Sequence, residues 1–364
     1  MAVLFGHTLG SFDWPAGYVS WRAWPLLNLA VDGASAVTMF FVLSGFVLMR
    51  PYLAASRAMF VPSFYIKRLS RIWLPWFFVF IISLAARHWL MHSYEMRPAV
   101  SGWLLGFWHQ PLSFKDLFKQ CIFQLYDFSR TLLPQDWSLG VELRASALMP
   151  FFLIMARWRW DWLWLGILAL VFFVGKSTGG YYVAFIIGVL LARHGGQLVD
   201  KLKQVKFTGR LLVLLAGVCG YEARWASGFL HFSGLFADQV VWVISSFGCA
   251  MIIIATLASR RISHFLSRRP VLFIGRISYS IYLLQFVVLI CFLPAWCFYL
   301  NQRGVNLVGL YLLILAASFI LTVSFSWVMY QIIEKPSIHL GHWLAKKWED
   351  AWRSRRERQA LSPL

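Results

Sequence analysis

The segment WSLGVELRASALMP, residues 137–150, carries a carboxylate, Glu142, into the opening turns of an otherwise apolar helix. A charge inside a bilayer costs about 3 kcal/mol even on the mildest scale, so an acid there points to function and demands a partner. At helical spacing Ser138, Glu142 and Ser146 fall on one face, while Arg144 points elsewhere. Such a polar stripe must turn toward protein or a wet cavity. His7, in VLFGHTLG, is the second chemically capable residue. A lone histidine in an apolar surround is more often a satisfied core residue. Its pKa near neutrality nevertheless suits a general base, provided that Glu142 reaches its other ring nitrogen.

The third group is the run IKRLSR, in which Lys67 and Arg71 are four residues apart and Arg68 and Arg71 three. These spacings let the cluster converge on one polyanion, or simply anchor a span by its basic mouth. Upstream, Ser44 and Gly45 sit mid-span in MFFVLSGFVLM, where small residues permit close helix packing. The pairs His88/His92 and His339/His342 lack a nearby carboxylate or cysteine, so no metal site is expected. No Walker A loop, GxSxG or HExxH is present.

The scaffold that must position these groups is read from composition. The chain has 364 residues, 60% of them hydrophobic and 13% charged, with a mean hydropathy of +0.65. That is an all-α, polytopic membrane helix bundle and not a soluble domain. The net charge of +19 sits in short segments between apolar runs, which favours topology over nucleic-acid binding. The cysteines show no CxxC pattern and read as small apolar side chains.

Spans are expected near 32–49, 72–87, 137–156, 161–175, 180–192, 210–221, 238–258, 271–295 and 305–333, with a shortened one at 1–12, about ten in all. Basic residues around 50–71, 193–210, 260–269 and 346–358 then fall on one side, which the positive-inside rule makes cytoplasmic, together with the C-terminus. A membrane domain is expected over 1–336, followed by a basic, Trp-containing amphipathic tail, 337–364, lying on the anionic leaflet or merely solvated.

With these residues in hand, the chain resembles the acyltransferase-3 family of integral membrane acyltransferases. Five patches match in order: AVTMFFVLSGF (36–46), FYIKRLSRIWLP (64–75), WSLGVELRASALMP (137–150), GRISYSIYLLQF (275–286) and YQIIEKP (330–336). The resemblance implies an inner-membrane enzyme that moves an acyl group, often acetyl, from cytoplasmic acyl-CoA to a hydroxyl of a saccharide, polysaccharide or lipid-linked glycan. It implies catalytic roles for His7 and Glu142 and acyl-CoA binding by Lys67, Arg68 and Arg71. Substrate-facing positions are expected at Ser44, Trp137, Ser138, Tyr279, Tyr282 and Gln285.

The chain departs from the family pattern in three places. An arginine usual about ten residues before the first-span histidine would lie upstream of Met1, so either the first helix is shortened or the natural start lies further upstream. Gln285 stands where members often have histidine, and Ala145-Ser146 replaces an aromatic pair. Two other readings stay open: a proton-coupled transporter or flippase using Glu142, whose expected repeat symmetry is not found, and a non-catalytic relative in a polysaccharide-export complex.

Overall fold

The computed structural model describes residues 1–13, 25–53, 58–90, 100–108, 110–124, 130–157, 179–230 and 234–361. The principal helices are α1 (Ala2–Gly10), α2 (Gly33–Leu53), α3 (Val61–Leu90), α4 (Asp136–Arg157) and α5 (Gly179–Gln204). They are followed by α6 (Phe207–Tyr221), α7 (Leu235–Ala258), α8 (Ser278–Gln302), α9 (Leu307–Met329) and α10 (Lys335–Leu361). Among the described residues the one isolated bridge of strand type pairs Phe12 with Val100. Seven of the described helical stretches are long and apolar enough to cross a membrane, and α6 is a shorter apolar helix. The fold is an all-α, multi-pass membrane protein. The span expected at 161–175, and His92, lie outside the described residues.

The helices extend beyond the expected apolar runs where polar residues continue the same turn. The expected run 72–87 is the interior of α3, which is 30 residues long. That is about 45 Å of helix against about 30 Å of hydrocarbon, so the helix projects at its charged turns, which carry Lys67, Arg68 and Arg71 at one end and Arg87 at the other. The expected single span 271–295 is corrected: a short helix, Arg269–Arg276, precedes α8, which starts at Ser278. Gly275 and the charge of Arg276 interrupt the apolar run there.

The described chain separates into two compact units. One comprises Met1–Gly6, Val19–Ala58 and Ala147–Gly275. Its seams are built from glycine. A Cβ on Gly45 of α2 would lie 2.3 Å from the Phe185 carbonyl oxygen of α5, and one on Gly188 would lie 2.2 Å from the Val42 carbonyl oxygen. The two backbones therefore touch at a point that no larger residue permits. Phe41 and Phe185 pack beside this crossing with ring centroids 5.1 Å apart. A second seam joins α6 to α7, where a Cβ on Gly248 would sit 2.5 Å from the Tyr221 nitrogen.

The other unit comprises His7–Tyr18, Met59–Ser146 and Arg276–Leu364. Its apolar core includes Trp76, Phe80, Leu132, Leu139, Phe286, Ile290 and Ile314. Pro75 lies inside α3, where its missing N–H leaves a carbonyl one turn back without a helical donor. In the same stretch the Tyr279 hydroxyl donates to the Ile72 carbonyl at 2.7 Å.

After α9 a single π turn, Tyr330–Glu334, leads directly into α10. The segment expected as a basic amphipathic tail is helical and packs along the first half of α3. The Ser63 hydroxyl donates to the Ala345 carbonyl at 3.1 Å, and a Cβ on Gly341 would come within 2.7 Å of the Ser70 Cβ. Ala345 is fully buried there, whereas Trp343, Trp348 and Trp352 are exposed.

Candidate functional site

Every ionisable group singled out from the sequence belongs to the second unit. His7 sits on α1, whose last carbonyls have no intrahelical donors. The Ser11 hydroxyl donates to the His7 carbonyl at 2.7 Å. Ser101 takes the next ones, its hydroxyl donating to the Gly10 carbonyl at 2.9 Å and its backbone N–H to Ser11 at 2.8 Å. Ser101 is also the N-cap of the short helix Gly102–Leu105, so Trp103 is brought to the imidazole of His7. The two rings stack with centroids 5.8 Å apart, and Phe286 approaches His7 to 4.5 Å. Gln285 is the polar side chain in contact with His7. Among the described residues, however, neither His7 Nδ1 nor Gln285 Oε1 completes a hydrogen bond.

Glu142 is held by a different partner. Arg68 of α3 donates through Nη2 to Glu142 Oε1 and through Nε to Ser146 Oγ, the latter at 3.0 Å. Their side chains are 11% and 4% exposed, so the pair is buried. The stripe Ser138–Glu142–Ser146 accordingly faces protein. Ser138 Oγ donates to the Gln135 carbonyl at 2.9 Å and lies 2.5 Å from the Tyr282 hydroxyl of α8.

The expectation that Glu142 orients His7 is therefore revised. Glu142 bonds Arg68 and His7 bonds neither of its oxygens, because a guanidinium supplies charge and a fork of donors that a neutral imidazole lacks.

The basic cluster also divides. Arg68 turns inward, while Lys67 and Arg71 are exposed. Lys67 lies 4.0 Å from Glu349 of α10, a contact between partly exposed groups worth about 0–1 kcal/mol. Arg71 is within electrostatic reach of both Glu142 and Glu334. Arg68 is thus engaged in the buried pair, while Lys67 and Arg71 are the exposed members of the cluster.

Of the remaining expected positions, Trp137 is half-buried on α4, and Tyr279 and Tyr282 bond α3 and α4 respectively. Ser44 lies in the first unit, half-buried on α2 beside the Gly45 crossing. That crossing accounts for the small residues there.

Glu334 and Asp136 are two of four buried acids among the described residues, with Asp116 and Glu222, that had no role in the sequence reading. Glu334, in the π turn, accepts from the Ser280 hydroxyl at 2.5 Å. Asp136, opening α4, accepts from Trp76 Nε1 at 2.6 Å and from Gln120 Nε2 at 2.7 Å. An acid at a helix N-terminus is also favoured by the macrodipole. Their signal was the same as that of Glu142, a solitary carboxylate at the edge of an apolar run.

Outside the candidate spans, the helix Phe114–Cys121 opens with a capping box between Ser113 and Asp116. The Ser113 hydroxyl and backbone N–H both donate to the Asp116 carboxylate, and Arg130 lies 3.7 Å away. These donors, the Ser113 hydroxyl foremost, hold the Asp116 carboxyl below the usual carboxylate range.

No curated protein and no solved structure matches the chain. Residues 1–331 match the family model described as an acyltransferase domain, that of acyltransferase-3. The matched stretch contains His7, the α3 cations, Glu142 and the Tyr282–Gln285 turn, and ends within the π turn. The chain belongs to the acyltransferase-3 family of membrane acyltransferases.

Proposed function

We propose that this protein is an inner-membrane O-acyltransferase that moves an acyl group, acetyl being the simplest, from cytoplasmic acyl-CoA to a hydroxyl of a saccharide, polysaccharide or lipid-linked glycan. The observation that carries the reading is a buried imidazole nitrogen without a partner, His7 Nδ1, in a chain of this family. His7 takes the proton of the acceptor hydroxyl as that oxygen attacks the thioester carbonyl. The C–S bond then breaks, the acyl group passes to the oxygen as an ester, and the CoA thiolate leaves and takes up the proton that His7 removed, which returns the imidazole to its starting form.

Lys67 and Arg71 hold the donor's phosphates at the N-terminal end of α3. Glu142 acts at one remove, by fixing Arg68 and with it the register of α3 on α4. Its ion pair counts against a proton-carrying role in a transporter. Basic residues on the loops joining the spans support a cytoplasmic C-terminus.

The test is protein in lipid nanodiscs with labelled acetyl-CoA and a panel of glycans. Acceptor-dependent CoA release that disappears in His7→Ala is expected. Release that persists unchanged in that variant removes His7 from the reaction.

A further inference from the structure

Gln135 and Gln285 converge on one main-chain atom. Both amides donate to the Tyr282 carbonyl, at 3.3 and 3.2 Å, and Gln135 donates also to the Leu283 carbonyl at 2.8 Å. A carbonyl only accepts, so these bonds assign Nε2 to the carbonyl side of each amide and leave the two Oε1 atoms as free ends. Gln135 is 2% exposed and Gln285 0% exposed. Among the described residues neither Oε1 has a partner. Each such buried acceptor costs about 1–3 kcal/mol. His7, which contacts Gln285, also has an unpartnered Nδ1, so three neighbouring side chains each carry such an atom, a cost that an incoming hydrogen-bond donor removes.

The two amide oxygens accept only, so they match hydroxyl groups and repel carboxylates or phosphates. Trp103 adds a second, independent feature. The residue is 44% exposed although its ring stacks on His7, meets Phe107 edge-on at 5.3 Å and lies 5.7 Å from Phe286. A partly exposed aromatic ring stacked on the imidazole suits the C–H face of a pyranose ring, which is apolar on its flat side and polar around its rim.

We infer that Trp103, Gln135 and Gln285 form the acceptor subsite, reading a neutral polyol ring: the indole stacks on its face, the two amide oxygens take two hydroxyls, and a further hydroxyl is presented to His7. This rests on the acyltransferase reading for its catalytic half. A free saccharide and a glycolipid headgroup share the chemistry.

The experiment uses the full chain in phosphatidylcholine nanodiscs, free of glycoside detergent. Binding of methyl α-glucopyranoside is followed by ligand-observed NMR, with its per-O-methylated analogue and a monoglucosyl diacylglycerol in the disc as parallel arms. A response to the soluble glycoside identifies a free saccharide as the source, and a response confined to the glycolipid arm identifies a headgroup. The hydroxylated probe is expected to bind about 10-fold more weakly to Trp103→Ala and Gln135→Met. Trp103→Phe restores most of the loss, and the per-O-methylated analogue does not bind.

In acetyl transfer the corresponding rise is confined to the acceptor KM. Thermal melting checks that each variant is folded, and Trp103→Phe serves where Trp103→Ala is not. Equal binding of the per-O-methylated analogue overturns the inference, as does failure of every hydroxylated probe to bind. An acceptor KM unmoved in both variants overturns it while leaving acyl transfer standing. Binding with the expected dependence but no transfer from acetyl-CoA overturns the catalytic reading and supports the subsite.

Discussion

Arg68 of α3 and Glu142 of α4 form a buried ion pair, with Ser146 accepting from Nε on the same edge of the guanidinium. Removing one member of such a pair leaves an uncompensated charge, at a cost of about 3–5 kcal/mol. Arg68→Met and Glu142→Leu are each expected to lower the unfolding midpoint strongly in a bilayer mimetic, and the double variant to lose less than their sum. Strict additivity in that cycle would show that the two side chains are not coupled.

His7 and Glu142 have separate partners in this arrangement, Gln285 and Arg68. His7→Ala is expected to lower kcat/KM for acyl transfer by about 10²–10⁴-fold, the usual range for a positioned acid–base group. Glu142→Gln reduces activity through the setting of Arg68 and leaves the midpoint of the pH–rate profile in place. A displaced midpoint in that variant would reinstate direct coupling between carboxylate and imidazole.

Lys67 and Arg71 are the exposed members of the cluster. Replacing either by alanine is expected to raise the acyl-CoA KM by about 10-fold at low salt, with the difference shrinking as ionic strength rises. A salt-independent effect, or one falling on the acceptor KM, would move the donor phosphates elsewhere. The long contact of Lys67 with Glu349 is weak enough to yield to a phosphate.

Gly45 and Gly188 set the α2–α5 crossing, each Cβ position lying within 2.3 Å of a carbonyl oxygen on the other helix. Because the obstruction is backbone, a side chain there cannot be relieved by a rotamer change. Gly45→Val is expected to destabilise by at least the overpacking cost of about 1–3 kcal/mol. The check is thermal unfolding and folded yield, and a Gly45→Val protein that melts like the parent would refute the close approach.

Asp116 gives a pH signature outside the spans. Its folded pKa is depressed, chiefly by the Ser113 hydroxyl and then by the Ser113 backbone N–H. Its contribution is therefore fully present above the unfolded value of about 3.9 and is lost as pH falls toward the lower folded value. Hydrogen exchange across 113–121 is expected to separate the parent from Asp116→Asn at neutral pH and to converge in strong acid. A difference that grows on acidification would reverse the sign and exclude the capping role.

The spacing of apolar runs located the long helices because crossing a bilayer fixes length and composition together, and that constraint is local to each segment. α2, α4 and α7 were legible almost to their ends for this reason. The break before α8 and the continuation of α9 into a packed α10 were not. The first follows a glycine and a charge, Gly275 and Arg276, and in the second Glu334 is accepted inside the helix by Ser280, 54 residues away.

The same division holds for the candidate site. His7, Glu142 and the 67–71 cluster could be singled out from the sequence because an ionisable group in an apolar surround is conspicuous wherever it occurs. Which group meets which could not, since 74 residues separate Arg68 from Glu142 and charge alone permits either arrangement. Gln135 and Trp103 gave no signal at all: an amide before a helix and an indole between spans are ordinary until folding leaves one oxygen without a donor and stacks one partly exposed ring on His7. The sequence by itself determined a membrane-embedded helical acyltransferase of the acyltransferase-3 family and its conspicuous charges. Only the tertiary structure decided the partners, because hydrogen bonding and ion pairing depend on distance in space and not on distance along the chain.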